Sequence, residues 1–136
     1  MRDRAVAIII DRAARAVLLI HRWNQGREYY VLPGGKIEEW ETPDETATRE
    51  AREETGLTIT LERPVATLNN MGRTEYYFLA VNFSGVLAIG WPEMGRALPD
   101  NTYELEWVPV DRLFLINLKP EAIQQVVAAC ILEQQA

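Results

Sequence analysis

Three stretches rich in Val, Ile and Leu open the chain. Two of them, 5–10 and 16–22, are separated by the segment DRAAR, and a shorter one covers 29–32. Such residues fit the pleated surface of a sheet. The pattern predicts a hairpin or two adjacent strands, followed by a short strand that runs into the Pro-Gly-Gly segment at 33–35.

Helical signals follow that segment. Thr42 precedes Pro43, which suits the first turn of a helix, and Asp44 and Glu45 lie in that turn, where acidic residues are favoured. Gly56 is a common type of helix stop. We therefore expect a helix that begins at Pro43 and ends near Gly56.

The second half of the chain predicts another hairpin and then helices. Runs at 57–68 and 74–83 flank the turn NNMGR, in which glycine permits a tight bend. A further strand is expected at 104–110, and a short helix at Asp111. Apolar residues at helical spacing predict a last helix over 119–135.

This order of strands, one helix, strands and helices indicates an α+β fold with a mixed β-sheet. Regular βαβ alternation is absent, which argues against a doubly wound nucleotide-binding fold. A chain of 136 residues is expected to form a single domain over 1–136. The longest irregular stretch, 85–101, is a candidate specificity loop, with Trp91 as an anchor of the loop or core.

Composition narrows the range of partners. The formal net charge is −6, whereas proteins that bind nucleic-acid polymers usually carry a basic face. With one Cys and one His the chain cannot form an internal disulfide or a zinc cluster. Its apolar runs are too short to span a membrane. We expect a soluble, cytoplasmic protein whose partner is neither a nucleic-acid polymer nor a membrane.

Three carboxylates share one face of the predicted helix. At about 100° per residue, Glu50, Glu53 and Glu54 fall within one sector about 100° wide. Like charges at this spacing cost roughly 0.2–0.5 kcal/mol per pair. Ala47 and Ala51 lie beside the sector and are small enough for the helix to approach a sheet closely. Such a cluster of oxygen ligands suits a hard cation, Mg²⁺ or Mn²⁺, that shares its coordination with phosphate.

The residues around this face resemble the Nudix box. Gly35 is followed after five residues by Glu41, and after seven more by REAREETGL at 49–57. Every fixed position of the motif is filled, with Ala51 where the family has an aliphatic residue. The resemblance implies the αβα sandwich of that family. It also implies a metal-dependent hydrolase that cleaves the pyrophosphate linkage of a nucleoside diphosphate linked to another group.

Roles for individual residues follow from the same resemblance. The cofactor would be Mg²⁺, with Mn²⁺ as a substitute, and the number of ions is left open. Its ligands would be Glu50, Glu53, Glu54 and the backbone carbonyl of Gly34. Glu53, Glu54 or a loop glutamate would lie beside the attacking water. Arg49 would complete the catalytic group by pairing with Glu41, which holds the helix against its loop.

Candidate substrate-binding residues lie outside the box. His21 and Arg22 end the second apolar run, and a contribution to phosphate binding from either residue is open, with Arg22 as the candidate site residue. Alternation turns one member of each adjacent tyrosine pair outward, so that Tyr30 and Tyr77 are candidates for stacking on a nucleobase as well as for core packing. Glu104 is the candidate for an additional loop carboxylate.

Two functions remain open at this stage. The first is a hydrolase acting on a nucleoside triphosphate or a related small nucleotide. The second is a non-catalytic Nudix-fold module that senses a nucleotide, although degenerate modules usually lose a box glutamate and this chain keeps all three. A homodimer is the family-level expectation for its assembly.

Overall fold

The computed structural model describes residues 2–88 and 101–133. Within these ranges the chain forms eight strands and two α-helices, together with two short 3₁₀ segments at Val110–Leu115 and Glu121–Ile123. In chain order the elements are β1 (Arg4–Asp11), β2 (Ala16–Asn24), β3 (Arg27–Val31), β4 (Gly34–Lys36), α1 (Pro43–Thr55), β5 (Leu57–Asn70), β6 (Arg73–Gly85), β7 (Asn101–Pro109), β8 (Leu118–Lys119) and α2 (Gln124–Leu132).

The sheet is mixed, as the sequence predicts. β1 and β2 are antiparallel neighbours, but their pairing is confined to the turn, with Ile10 opposite Val17 and Asp11 opposite Ala16. Beyond the turn, β1 pairs in parallel with β6 and antiparallel with β4. β2 pairs over its whole length with β7. β1 and β2 therefore separate, and a cleft opens between the two halves of the sheet.

Helix α1 confirms the predicted boundaries. Glu45 accepts the Thr42 backbone N–H at 2.9 Å and so caps the first turn. Gly56 adopts the left-handed conformation that ends a helix, with φ 82°. Ala47 and Ala51 are fully buried, which confirms that the helix lies close to the sheet.

The two α-helices cover opposite faces of the sheet. α1 packs on an apolar cluster that includes Ala5, Ala7 and Ile9 of β1. α2 packs on a second cluster that includes the alternate β1 residues, Ile8 and Ile10. Both faces of β1 are therefore buried, which explains its unbroken apolar sequence. The α+β sandwich is confirmed.

The last helix is shorter than the sequence predicts. In place of a helix over 119–135, Leu118–Lys119 form β8, which pairs with β3. Pro120 follows, and the residue before a proline is disfavoured in helical geometry. α2 begins only at Gln124.

Part of the predicted loop lies outside the described residues. Of the stretch 85–101, the structure describes 85–88 and Asn101, so that the expectation for Trp91 is not addressed. Across the described ranges, neither α-helix has the length and apolar character needed to cross a bilayer.

Candidate active site

The carboxylates of α1 open into a cavity of about 460 Å³ at the cleft between the sheet halves. We call it the acidic cavity. It combines the three box glutamates with basic, apolar and backbone groups of β1 to β4 and β7. Its lining residues are Arg4, Ile20, Arg22, Val31, Leu32, Gly34, Gly35, Lys36, Glu38, Glu50, Glu53, Glu54 and Tyr103.

Two glycines of β4 let α1 approach this cavity. The Gly34 N–H donates to Glu54 Oε2 at 2.9 Å, and Glu54 is only 9% exposed. A Cβ on Gly35 would lie 2.4 Å from the Glu50 carboxyl carbon. The Glu50 carboxylate therefore packs directly on the Gly35 backbone, and a side chain at position 35 would displace it.

The guanidinium group of Arg49 joins the loop residue Glu41 to two of the box glutamates, Glu50 and Glu53. Arg49 Nε and Nη2 donate to the two oxygens of Glu41 at 2.6 and 3.0 Å. Its Nη1 donates to Glu50 at 3.0 Å and to Glu53 at 3.1 Å. The predicted Arg49–Glu41 pair is present. At about 100° per residue Arg49 lies on the flank of the acidic sector, but its side chain reaches back across that sector.

The carboxylates are held by protein donors in this arrangement. Among residues 2–88 and 101–133, no three His, Cys, Asp or Glu side chains are placed so that they could hold a metal ion as they stand. Arg49 binds Glu50 and Glu53, while the Gly34 N–H binds Glu54. The chemistry of the donors, three carboxylates facing one cavity, nevertheless fits a hard divalent cation.

Arg49 also sets the ionisation of its loop partner. Its hydrogen bonds lower the pKa of Glu41 from 4.5 to about 2. The Thr46 hydroxyl and the Glu38 N–H donate to the same carboxylate, at 2.9 and 3.2 Å. Glu41 is therefore an ionised anchor that ties the loop before α1 to the helix.

We expect this anchor to make the fold sensitive to acid. Because the pKa of Glu41 is depressed in the folded state, its stabilising contribution is complete above about pH 4.5 and is lost as the pH falls toward about 2. In Arg49→Gln the depression should largely disappear. The melting temperature of the wild type should therefore fall more between pH 5 and pH 3 than that of the variant, as measured by circular dichroism.

Arg52→Gln is the matched control for this experiment. Arg52 lies on the same helix and donates to the Thr58 hydroxyl at 3.0 Å, away from Glu41. It should keep the acid response of the wild type. Equal acid responses in Arg49→Gln and the wild type would contradict the assignment.

The register between β2 and β7 decides which candidate residues reach the cavity. Arg22 lies opposite Tyr103, and both line the cavity, with the Tyr103 hydroxyl 2.8 Å from Arg22 Nη2. Glu104 lies opposite His21, one position along. Opposed residues share a sheet face and successive residues alternate. Glu104 therefore lies on the face away from the cavity, and its prediction as an additional carboxylate of this site is wrong.

The same alternation overturns the stacking role of Tyr30. Tyr30 lies opposite His21, on the far face, where its ring stacks on the imidazole with centroids 3.9 Å apart. Only 5% of Tyr30 is exposed, and burial raises the pKa of its hydroxyl. Its neighbour Tyr29 lies opposite Arg22, on the face of the cavity, with the guanidinium carbon 5.5 Å from its ring centre.

Tyr77 is not an open stacking surface either. It is 1% exposed, and its hydroxyl donates to Glu75 at 2.9 Å. Burial, followed by that hydrogen bond, raises the pKa of the phenol. Its ring forms part of the wall of a second cavity, described below.

Among the basic and aromatic side chains that line the acidic cavity, three were missed by sequence reasoning. Arg4, Lys36 and Tyr103 line the acidic cavity. Lys36 could have been suspected from its place directly after the Pro-Gly-Gly segment. Arg4 and Tyr103 carry no local signal, because their positions depend on strand pairings across long sequence separations.

Comparison with known proteins gives a family match over almost the whole chain. The model of the NUDIX domain matches residues 1–130. The putative 8-oxo-dGTP diphosphatase 3 of Mycobacterium tuberculosis is 30% identical over 110 residues, which cover 77% of this chain and 49% of that protein. The chain thus spans about half the length of this curated relative.

Solved structures share the fold over nearly their full length. A NUDIX family hydrolase from Clostridium perfringens gives a TM-score of 0.76 at 21% identity, covering 97% of this chain and 98% of that one. The MutT NUDIX hydrolase from Burkholderia pseudomallei gives 0.68 at 22% identity, covering 93% and 95%. At these identities the similarity establishes the architecture.

Proposed function

The chain belongs to the NUDIX family of hydrolases, and we propose that it cleaves the pyrophosphate linkage of a nucleoside triphosphate or a related small nucleotide with a divalent metal ion. The observation that carries this proposal is the acidic cavity, where the carboxylates of α1 face the basic side chains Arg4, Arg22 and Lys36. Carboxylates suit a hard cation, and the cations of the protein suit phosphate oxygens.

The proposed metal ligands are the groups that the box resemblance implies. Glu50, Glu53, Glu54 and the carbonyl oxygen of Gly34 would hold Mg²⁺, or Mn²⁺ in its place. A bound ion of this kind offsets the negative charge of phosphate and lowers the pKa of a water molecule. The Gly34 carbonyl accepts a hydrogen bond from Arg4 Nη2 at 3.3 Å, which orients this oxygen and ties it to a cavity cation.

The side chains of the protein then supply binding and positioning. Arg4, Arg22 and Lys36 attract the phosphates, which is needed because the net charge of the protein is −6. Arg49 holds Glu53 and Glu41 in place. Glu53 is the better candidate for accepting a proton from the attacking water, since 42% of its side chain is exposed to the cavity and its surroundings. Glu54 already accepts the Gly34 N–H.

Two observations favour an enzyme over a module that only senses a nucleotide. All three box glutamates are present, and all three line the same cavity as the basic groups. The similarity to a putative 8-oxo-dGTP diphosphatase makes 8-oxo-dGTP the first substrate to assay. Cytoplasmic location and a homodimer stay predictions.

The proposal is tested with a panel of nucleoside triphosphates that includes 8-oxo-dGTP. With Mg²⁺ or Mn²⁺ we expect release of pyrophosphate, or of phosphate from a related cleavage. Chromatography of the products identifies which bond is cleaved. EDTA should reduce the rate to background, because the carboxylates cannot stabilise phosphate charge without a cation. Excess Mg²⁺ should restore it. Full activity in EDTA, or no hydrolysis of any nucleotide in the panel, would refute the proposed function.

A further inference from the structure

A second cavity adjoins the acidic cavity. Its volume is about 370 Å³, within the range of small-ligand pockets. Arg4, Val31 and Leu32 line both cavities and form their common wall. The second cavity is also lined by Arg73 and Lys119, and we call it the basic cavity. A nucleotide whose phosphates occupy the acidic cavity would place its next group here.

A buried carboxylate lies in the wall of the basic cavity. Glu75 is 3% exposed, and its oxygens accept from the Tyr77 hydroxyl at 2.9 Å and from the Asn70 amide at 3.3 Å. Arg73 Nε is 3.3 Å and Arg4 Nε 3.9 Å from the same carboxylate. Burying a charge costs stability unless it is paired, and here two hydrogen bonds and two nearby guanidinium groups compensate the carboxylate. The hydrolytic step proposed above makes no use of it.

This arrangement places a fixed hydrogen-bond acceptor beside a fixed cation. Each carboxylate oxygen can accept more than one hydrogen bond, so that Glu75 retains capacity for a ligand. Arg73, with 28% of its side chain exposed, supplies donors next to it. The complementary ligand edge carries a carbonyl oxygen beside N–H donors.

Among the common bases, guanine presents that edge most completely. Its O6 acceptor lies beside the N1–H and the 2-amino group, which are both donors. Adenine and cytosine present a ring nitrogen lone pair in place of the N1–H, and a carboxylate repels a lone pair. Because the proposed substrate is a nucleotide, the inference rests on the proposed function and specifies its substrate class.

We propose that the basic cavity binds a guanine-type base, with Glu75 accepting from N1–H and the 2-amino group and Arg73 donating to the O6 carbonyl. Glu75 is thereby a specificity-determining residue of β6. Tyr77 and Asn70 hold its carboxylate in position. Arg4, which contacts both the Gly34 carbonyl and Glu75, connects base recognition to the phosphate site.

The first test uses the unaltered protein with Mg²⁺ and compares kcat/KM for dGTP, dITP and dATP. dITP has the O6 and N1–H of dGTP but lacks the 2-amino group. We expect dGTP to exceed dATP by about 10- to 100-fold, with dITP between them, since each good polar contact to a base discriminates by that order. Values within threefold of one another for all three nucleotides would overturn the inference.

The second test changes the acceptor. Glu75→Gln should reduce the ratio of kcat/KM for dGTP to that for dATP by about 10- to 100-fold, chiefly through KM for dGTP. Glu62→Gln is the matched control, because it makes the same chemical change on an exposed residue of the neighbouring strand and should keep the wild-type ratio. Melting temperatures verify that both variants are folded. Equal losses on dGTP and dATP in Glu75→Gln would show a purely structural role and overturn the inference.

Calorimetry separates this inference from the proposed function. GMP and AMP are titrated into the wild type with Mg²⁺, which reports base preference without hydrolysis. Tighter binding of GMP supports the inference even if no triphosphate is cleaved, in which case the proposed function alone fails. Equal binding of GMP and AMP overturns the inference even if triphosphates are hydrolysed.

Discussion

Replacement of Glu53 by Gln is expected to lower kcat/KM for nucleotide hydrolysis by roughly 10²- to 10⁴-fold, the range lost with a positioned proton acceptor. This loss of activity should be far larger than the change in the fraction of folded protein can explain. Glu53 is partly exposed, and its pair with Arg49 lies at the rim of the cavity, so that the free energy of unfolding should change by less than about 1 kcal/mol. Its removal also relieves repulsion from Glu50 and Glu54.

Glu54 should behave differently, although it lies one residue along the same helix. Its carboxylate accepts the Gly34 N–H in a buried setting. Glu54→Gln keeps an acceptor oxygen and should mainly lose activity. Glu54→Ala leaves that N–H without its acceptor and should lower the free energy of unfolding by about 1–3 kcal/mol in addition.

Three measurements distinguish these roles: hydrolysis rates, chemical denaturation without metal, and the rise in melting temperature caused by Mg²⁺. The rise in melting temperature caused by Mg²⁺ should be smaller in Glu53→Gln, since stabilisation by a ligand follows its affinity for the folded state. Glu39→Gln, at an exposed position of the loop before α1, is the control and should match the wild type. Wild-type turnover in Glu53→Gln would exclude it from the catalytic group.

Substitution by alanine should have different effects at the two glycines of β4: it should lower the stability at Gly34 and the activity at Gly35. In Gly34→Ala the new Cβ would lie 2.7 Å from the Ala5 carbonyl oxygen and 2.9 Å from Val6 Cα. Both are backbone atoms of β1 and cannot move independently. Overpacking of this kind costs about 1–3 kcal/mol or more, so that we expect a clearly destabilised protein.

In Gly35→Ala the three atoms nearest to the new Cβ all belong to the Glu50 carboxylate, the closest at 2.4 Å. That carboxylate can turn away at little cost to the fold, but it then leaves the cavity position proposed for metal binding. We expect near-normal stability with kcat/KM reduced by about 10²-fold, the usual effect of a displacement of about 1 Å.

Denaturation curves and kinetics on the two variants test this contrast. Gly72→Ala, at a turn where a Cβ meets nothing within 4 Å, controls for added backbone restriction, although its φ of 89° carries its own strain. A Gly35→Ala variant with full activity would show that Glu50 is not needed where the structure places it.

Local sequence was sufficient for helix α1 and its acidic face. Thr42, Pro43 and Gly56 mark its ends, and their effects arise within one turn of backbone. The helical period alone brings Glu50, Glu53 and Glu54 to one side, and the same period turns Ala47 and Ala51 to the sheet. These features depend on neighbours within a few residues, which is why they could be predicted.

The length of the last helix and the face of each tyrosine could not be predicted in this way. Period-two alternation predicts that adjacent tyrosines point to opposite faces of the sheet, but it does not predict which face lines the cavity. That choice depends on the register of β2 with β3 and β7, which places Tyr29 rather than Tyr30 beside Arg22. β8, likewise, forms only because β3 is available to pair with it.

The chemistry around α1 was decided by contacts between distant segments. The Gly34 N–H meets Glu54 because β4 pairs with β1 below the helix, and Arg49 reaches Glu41 because the loop before α1 folds back beside the helix. The basic cavity has the same origin, since Arg4 and Glu75 become neighbours through the parallel pairing of β1 with β6. A sequence specifies its local periods directly, whereas which strands meet, and in what register, results from burying both faces of one shared sheet.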